Sequence, residues 1–188
     1  MIVAFDTSIL ILLFDKKARA PKDPKTGLPV ADCQPRLEFL VSTLSRIKGA
    51  QIIVPTPTLA ELFVYITPEA ASTYLAMLGR IRGFKISPFS VRAAIEFAEI
   101  QREILNSQKL RPEERARLSK PKFDHQIVAV AKVEGASIIY SDDERLGKFA
   151  KRLGIKTVGV AELPLPPAEA QASLPFEPPE SILPSDEP

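Results

Sequence analysis

The residues of this sequence with the clearest potential for chemistry are acids that follow or open apolar segments. These acids are Asp6, Glu61, Asp124, Asp142 and Asp143. Carboxylates that folding brings together repel one another and raise one another's pKa unless a cation neutralises them. Carboxylate oxygens are hard ligands that suit Mg²⁺ or Mn²⁺ rather than zinc. Such an ion can activate water and stabilise the oxygens of a phosphodiester displacement. The acids therefore predict a metal-dependent enzyme that acts on phosphates.

A helix and a strand within residues 122–146 must position three of these acids. The apolar residues between Ile127 and Val133 predict a helix, and Gly135 follows as its C-terminal breaker. Residues 137–140 are short, apolar and rich in β-branched side chains, as in a central parallel strand. Because the helix runs antiparallel to that strand, Asp124 at the helix start should lie at the same sheet edge as Asp142 and Asp143. Ligands of open α/β sheets bind at this carboxyl edge.

The N-terminal half supplies two further acids. Asp6 ends the apolar run 2–5 and precedes Thr7 and Ser8, so it could cap a helix or bind a metal with a hydroxyl beside it. Glu61 lies near the start of an apolar helix predicted from Thr58 to about Ile66. The helix dipole favours an acid there, but burial of an unpaired carboxylate is costly, and a ligand role relieves that cost.

The remaining segments predict an α/β domain over residues 1–163. Apolar spacing indicates further helices at 36–48, 67–80 and 91–106, and short apolar runs indicate strands at 51–54, 83–86 and 155–160. Elements that alternate in this way favour a parallel sheet covered by helices. Residues 164–188 contain eight prolines and are acidic, so we expect a disordered tail.

Composition is typical of one soluble domain with an uneven charge. From Thr157 onward the chain has six acids and no Lys or Arg, so the net charge of +2 for the whole chain becomes +8 for residues 1–156. A basic body can bind a polyanion, but it also fits mere solubility. The single cysteine, Cys33, suits a reducing cytoplasm, and we see neither a signal peptide nor an apolar run of the roughly 20 residues that cross a bilayer.

Two basic segments are candidates for phosphate contacts. Residues 15–35 are rich in Lys, Arg and Pro and read as a loop, and residues 111–122 are basic just upstream of Asp124. The candidate phosphate-binding residues are Lys16, Lys17, Arg19, Arg115, Arg117, Lys120 and Lys122. A solvated surface explains both segments nearly as well. The only histidine, His125, cannot build a histidine-based zinc site, and we expect a packing or surface role for it.

Four motifs in order resemble the PIN-domain family over about residues 1–163. They are VAFDTS at the N-terminus, PTPTLAEL around Glu61, FDHQIVAVA around Asp124, and IIYSDD at the end of the strand 137–140. The resemblance implies a three-layer α/β/α fold with a parallel sheet of order 3-2-1-4-5. It implies a Mg²⁺- or Mn²⁺-dependent ribonuclease with Asp6, Glu61, Asp124 and Asp143 as its acids. Asp142 would be an additional metal ligand, with Ser8 and Ser141 in supporting positions.

The resemblance also implies partners, since many bacterial PIN-domain proteins are VapC-type toxins. We therefore expect an RNA substrate, an antitoxin protein and a homodimer, and no membrane. The long basic loop and the acidic tail depart from the family pattern and bear on the toxin assignment. The alternative is a catalytically inactive PIN-like module that binds RNA or protein.

Three other phosphate-handling classes fit less well. A receiver-like domain needs paired acids after its first strand and a lysine after its last, whereas Asp6 stands alone and Ala161 follows Val160. A haloacid-dehalogenase-type phosphatase needs a second Asp where Ser8 stands. A dinucleotide-binding module needs a glycine-rich first turn, which this chain lacks.

Overall fold

The protein is an α/β domain built on one parallel sheet, as seen in a computed structural model that describes residues 1–107 and 123–167. Five strands pair in the order β3-β2-β1-β4-β5, all parallel. The strands are β1 Ile2–Phe5, β2 Gln51–Pro55, β3 Phe84–Ser87, β4 Ile138–Tyr140 and β5 Lys156–Val158. The predicted α/β class and strand order are confirmed.

Seven α-helices cover the sheet within the described residues. They are α1 Thr7–Phe14, α2 Cys33–Arg46, α3 Thr56–Phe63, α4 Pro68–Arg80, α5 Val91–Ser107, α6 Phe123–Val133 and α7 Glu144–Arg152. A 3₁₀ turn, Val160–Glu162, follows β5. None of these helices is long and apolar enough to cross a membrane.

Alternation along β1 places a core on each face of the sheet. Val3 and Phe5 point into a core completed by side chains from α1 to α4, and Ala4 points into a second core with α5, α6 and α7. β1 lies between β2 and β4, in register with both: Ala4 pairs with Ile53 and with Ile139. The result is the three-layer α/β/α arrangement expected from the sequence.

Three element boundaries differ from the sequence predictions because of proline. α3 begins at Thr56 rather than Thr58, since Pro57 occupies its second position, where its missing N–H costs nothing. β2 extends to Pro55, which ends the strand in register with Ser87. α2 begins at Cys33 rather than Arg36, with Pro35 in its first turn.

The basic loop after α1 is folded rather than extended. Residues 21–30 form a turn in which Lys22 and Pro29 make an antiparallel bridge and the Val30 N–H donates to the Pro21 carbonyl over 2.8 Å. Gly27 adopts φ +72° in this turn, a conformation that favours glycine. α2 must end where β2 begins, at the opposite sheet edge, so residues 20–32 lead the chain back to the carboxyl edge.

The candidate residues Arg115, Arg117, Lys120 and Lys122 lie outside the described residues, as does the predicted tail from residue 168 onward.

Candidate active site

Asp6 stands at the centre of the carboxyl edge, where β1 meets α1. Its side chain is 6% exposed and caps α1 by accepting from the Thr7 N–H over 2.7 Å. The Oδ2 atom accepts from Ser141 Oγ at 2.7 Å and from Ser8 Oγ at 3.1 Å. Burial raises the pKa of Asp6 to about 6 despite these hydrogen bonds, and the neighbouring Glu61 carboxylate adds to the rise. Asp6 is therefore a helix cap, and its role as a metal ligand stays a prediction.

Glu61 reaches the same edge from the second turn of α3. The Thr7 hydroxyl donates to Glu61 Oε2, which ties α3 to the start of α1. The half-buried position of Glu61 raises its pKa, and the charges of Asp124 and Asp143 raise it further. Glu61 is thus within electrostatic reach of the two acids from the C-terminal half.

Asp124 and Asp143 complete the group from α6 and α7. Asp124 lies in the first turn of α6 and is half-buried. Asp143 is exposed and caps α7: its Oδ1 accepts from the Arg145 N–H at 2.6 Å and the Leu146 N–H at 3.1 Å. We call Asp6, Glu61, Asp124 and Asp143 the acid site.

The acid site is suited to a hydrated divalent cation. Neither Asp6, Glu61 nor Asp143 forms an ion pair with a described Lys or Arg. Within residues 1–107 and 123–167, no group of three or more His, Cys, Asp and Glu side chains is placed to hold a metal ion. Mg²⁺ usually keeps several waters and is held through one or two carboxylates, so the donor set fits Mg²⁺ or Mn²⁺ and not a fully protein-enclosed ion.

Asp142 points away from this group toward β5. Its Oδ1 accepts from the Val160 N–H at 2.9 Å, while its Oδ2 is buried and has no hydrogen-bond partner among the described residues. Burial raises the pKa of Asp142, and the charge of Glu162 raises it further. Gly159 makes this position possible, because a Cβ there would lie 2.8 Å from Asp142 Oδ1. Asp142 therefore contacts the segment that follows β5.

A pocket of about 400 Å³ lies on that side, and we call it the side pocket. It is lined by residues 22–25, residues 141–144, Gly147, Thr157, Gly159 and residues 161–162. The folded loop therefore brings Lys22 and Lys25 to the same pocket as Asp142 and Asp143. Arg36 near the start of α2 donates to the Leu163 carbonyl and so holds the loop end against the 3₁₀ turn.

The comparisons with known proteins concern the fold. No model of a known family matches the sequence, and no curated protein matches it. Among solved structures, VapBC2 from Rickettsia felis bound to a DNA fragment from their promoter has a TM-score of 0.55 at 16% identity. DNA-bound VapBC from Salmonella typhimurium has a TM-score of 0.53 at 16% identity, and VapBC-1 from nontypeable Haemophilus influenzae has 0.51 at 13%. Each match covers 85% of this chain and 98% of the other.

The chain has a PIN-like fold. Within this PIN-like fold, the four residues that the resemblance implied as acids lie at one sheet edge, with the other three coupled electrostatically to Glu61, and their catalytic role stays a prediction. Ser8 and Ser141, the two supporting residues, both donate to Asp6.

Other sequence predictions fall elsewhere in the PIN-like fold. Lys16, Lys17 and Arg19 are exposed and follow the far end of α1, and the charge of Lys16 acts on Glu38 of α2 rather than on the acid site. His125 stacks on Phe149 with ring centroids 3.9 Å apart, which is a packing role. Sequence reasoning missed Thr157 and Gly159 as pocket residues, because nothing in their local pattern reports a contact made across the sheet.

Proposed function

We propose that this protein is a Mg²⁺- or Mn²⁺-dependent ribonuclease that hydrolyses RNA phosphodiester bonds. The observation that carries the proposal is the acid site, in which Glu61 is electrostatically coupled to Asp124, to Asp143 and to the almost fully buried Asp6. Ionisable groups whose pKa values are shifted by burial and by neighbouring charges cluster at functional sites.

The chain's own residues would prepare the site for reaction. The hydroxyls of Thr7 and Ser141 orient Glu61 and Asp6, respectively. One or two of the carboxylates of Asp6, Glu61, Asp124 and Asp143 would hold the ion directly and the others through its retained waters, and the ion would supply Lewis-acid activation of water and charge stabilisation at the phosphate. Burial of Asp6 keeps its carboxylate fixed, so little reorganisation is needed when the ion and substrate bind.

The VapBC likeness supports a partner protein. We infer a toxin-like role in the cytoplasm, with an antitoxin protein as partner and a homodimeric state. Growth arrest on expression, relieved by co-expression of the protein encoded next to it, would test the antitoxin; sedimentation of the purified protein would test the dimer.

Cleavage of a labelled single-stranded RNA by the full chain, with Mn²⁺ and with chelator, tests the enzyme directly. We expect cleavage only with metal, and a loss of at least about a hundredfold for Asp6→Asn and for Asp124→Asn, since each deletes a metal-binding charge. Asp32→Asn is the control: it removes one exposed carboxylate at a position with φ 55°, which Asn tolerates. Near-wild-type cleavage by either site variant would remove the acid site from the mechanism, and a folded protein without cleavage would favour the inactive binding module.

A further inference from the structure

The amino edge of the sheet, opposite the acid site, carries a cleft surrounded by basic side chains. The cleft has a volume of about 290 Å³ and lies between the turn that follows α2 and the turn that leads from α4 to β3. Ser45 Oγ donates to the Arg82 carbonyl over 2.9 Å, which holds the two turns together. We call this site the basic cleft.

The positive charge at the basic cleft is largely unbalanced among the described residues. Five exposed basic residues belong to its lining or lie within two residues of it in the sequence: Arg46, Lys48, Arg80, Arg82 and Lys85. Of these five, only Lys85 forms an ion pair with a described residue, Glu134 at 2.7 Å. The helix dipole explains a basic residue in the last turn of α2 and of α4. It does not explain Lys48 and Arg82, which follow those helices, and the cleft therefore suits an anionic ligand.

The basic cleft also has an apolar side. Ile47 is 43% exposed, and Phe84 of β3 is half-buried in the same lining. A peptide with apolar side chains between acids covers both kinds of surface, whereas a row of phosphates leaves the apolar surface in water. A nucleic acid bound here would also lie at the sheet edge opposite the acid site. The lining thus favours an acidic, partly apolar peptide.

Residues 168–188 of this chain have that composition, and we call them the acidic segment. They contain five acids and no Lys or Arg. Apolar side chains stand next to the acids: Phe176 precedes Glu177, and Ile182 follows Glu180 by two residues. A sequence rich in proline and acid does not build a core of its own, so it buries apolar side chains only against another surface.

The acidic segment is long enough to reach the basic cleft. Arg36 donates to the Leu163 carbonyl, so the chain leaves the domain beside the start of α2, and the cleft lies at the other end of the same helix. The 14 residues of α2 span about 21 Å. Residues 164–176 extend to at most about 43 Å, which is twice that length. Because the segment belongs to the same chain, its local concentration at the cleft is of the order of millimolar.

We propose that the acidic segment binds to the basic cleft of its own chain, with apolar side chains against Ile47 and acids against Lys48 and Arg82. The contact needs neither metal nor RNA, so it is independent of the ribonuclease function above. The bound segment occupies the amino edge of the sheet. An RNA chain is then left with the opposite edge, where the acid site lies.

Zero-length coupling with a carbodiimide tests the contact in the full chain, in chelator and without RNA. The reagent joins a lysine amine to a carboxylate that touches it, and mass spectrometry of the digested protein identifies the joined residues. Coupling of Lys85 to Glu134 is the internal standard, because the two groups are 2.7 Å apart. Lys151 is the matched comparison, since it is exposed in the last turn of α7 beside Arg152 but away from the basic cleft. We expect Lys48 to couple to the acidic segment at least about fivefold more than Lys151 does, a ratio that one or two ion pairs produce.

Variants of the cleft separate this site from general charge attraction. Arg82→Gln removes a charge and Ile47→Gln removes an apolar side chain, and each should lower the coupling of Lys48 to the acidic segment by at least about twofold. Arg152→Gln removes a charge beside Lys151 and should leave the coupling of Lys48 unchanged. An unchanged yield of the internal standard shows that each variant keeps the fold at the cleft.

Three outcomes would overturn the proposal. Equal coupling of Lys48 and Lys151 would mean that the acidic segment follows charge alone and has no site. In a mixture of unlabelled and isotope-labelled protein, joined peptides that pair one kind with the other would place the segment on a second copy of the chain. No coupling at Lys48, together with protection of its amine from acetylation by added single-stranded RNA, would identify a nucleic-acid surface.

Discussion

Asp6 caps a helix and contributes negative charge to the acid site, and the two roles place different demands on it. Capping needs only an acceptor, which an Asn amide also supplies, whereas metal binding needs the ionised carboxylate. Burial opposes ionisation and raises the pKa from 3.8 to about 6. The native state therefore binds this proton more tightly than the unfolded chain does. The contribution of Asp6 to stability is therefore largest below its unfolded pKa of 3.8 and is lost as the pH rises through about 6.

Asp6→Asn should remove the free-energy cost of ionising a buried carboxylate in the metal-free protein. We expect the unfolding free energy of the variant, relative to wild type, to increase by about 2.4 kcal/mol between pH 4 and pH 7.5, because Asn has no charge to desolvate. Urea unfolding in chelator at several pH values measures the difference. Asp32→Asn, at an exposed position, should give a flat profile. A flat profile for Asp6→Asn as well would mean that Asp6 is ionised in the fold at no cost.

At the scale of the elements, the loop, the start of α2 and the 3₁₀ turn form one unit around the side pocket. Arg36 Nε donates to the Ala31 carbonyl at 3.0 Å, and Arg36 Nη1 donates to the Leu163 carbonyl. One guanidinium thus holds the end of the loop 20–32 against the residue that follows the 3₁₀ turn. Because Arg presents several donors in a fixed geometry, no other side chain replaces both contacts.

Arg36→Gln should lower the unfolding free energy by about 1.5–3 kcal/mol, the usual contribution of hydrogen bonds to a charged group. Urea unfolding checks the value. Arg46→Gln lies at the exposed end of the same helix and should change stability by less than about 0.5 kcal/mol. Equal effects of the two substitutions would mean that the hydrogen bonds of Arg36 to the Ala31 and Leu163 carbonyls add nothing to the unfolding free energy.

Sequence patterns predicted the helices, the strands and the positions of the acids, but they did not predict the contacts between distant segments. Asp6 and Asp124 could be placed at one edge because strand direction and helix direction follow from the order of elements. The sequence pattern placed the start of α2 three residues too late, because Pro35 was counted with the proline-rich loop. The first turn of a helix tolerates proline. The position of Asp142 depends on Gly159 and Val160 of a later segment, which no local periodicity reports.

On the scale of the whole molecule, the acid site joins four segments, and its ion should act as a ligand that stabilises the native state. Mass action adds about 2.7 kcal/mol when the free ion exceeds its dissociation constant a hundredfold. The like charges that destabilise the metal-free protein become useful once the ion neutralises them.

Thermal melts with chelator and with Mn²⁺ test this for Asp143, which is both an acid and a helix cap. Asp143→Asn keeps a capping oxygen, so its metal-free melting temperature should not fall, while the rise on adding Mn²⁺ should shrink. Asp143→Ala also loses the cap and should cost about 1 kcal/mol without metal. If Mn²⁺ raises the melting temperature of all three proteins equally, Asp143 takes no part in binding the ion.

The hydrogen bond from Ser141 to Asp6 joins residues 135 positions apart, across the pairing of β1 with β4. Contacts of such long range form late, because the chain must first close a large loop. During synthesis, β1 emerges with β2 and β3 but cannot receive β4 until most of the chain has left the ribosome. A partly made chain therefore has Asp6 and Glu61 without Asp124 and Asp143. The order of synthesis thus delays assembly of the acid site until residue 143 has been made and β4 can pair with β1.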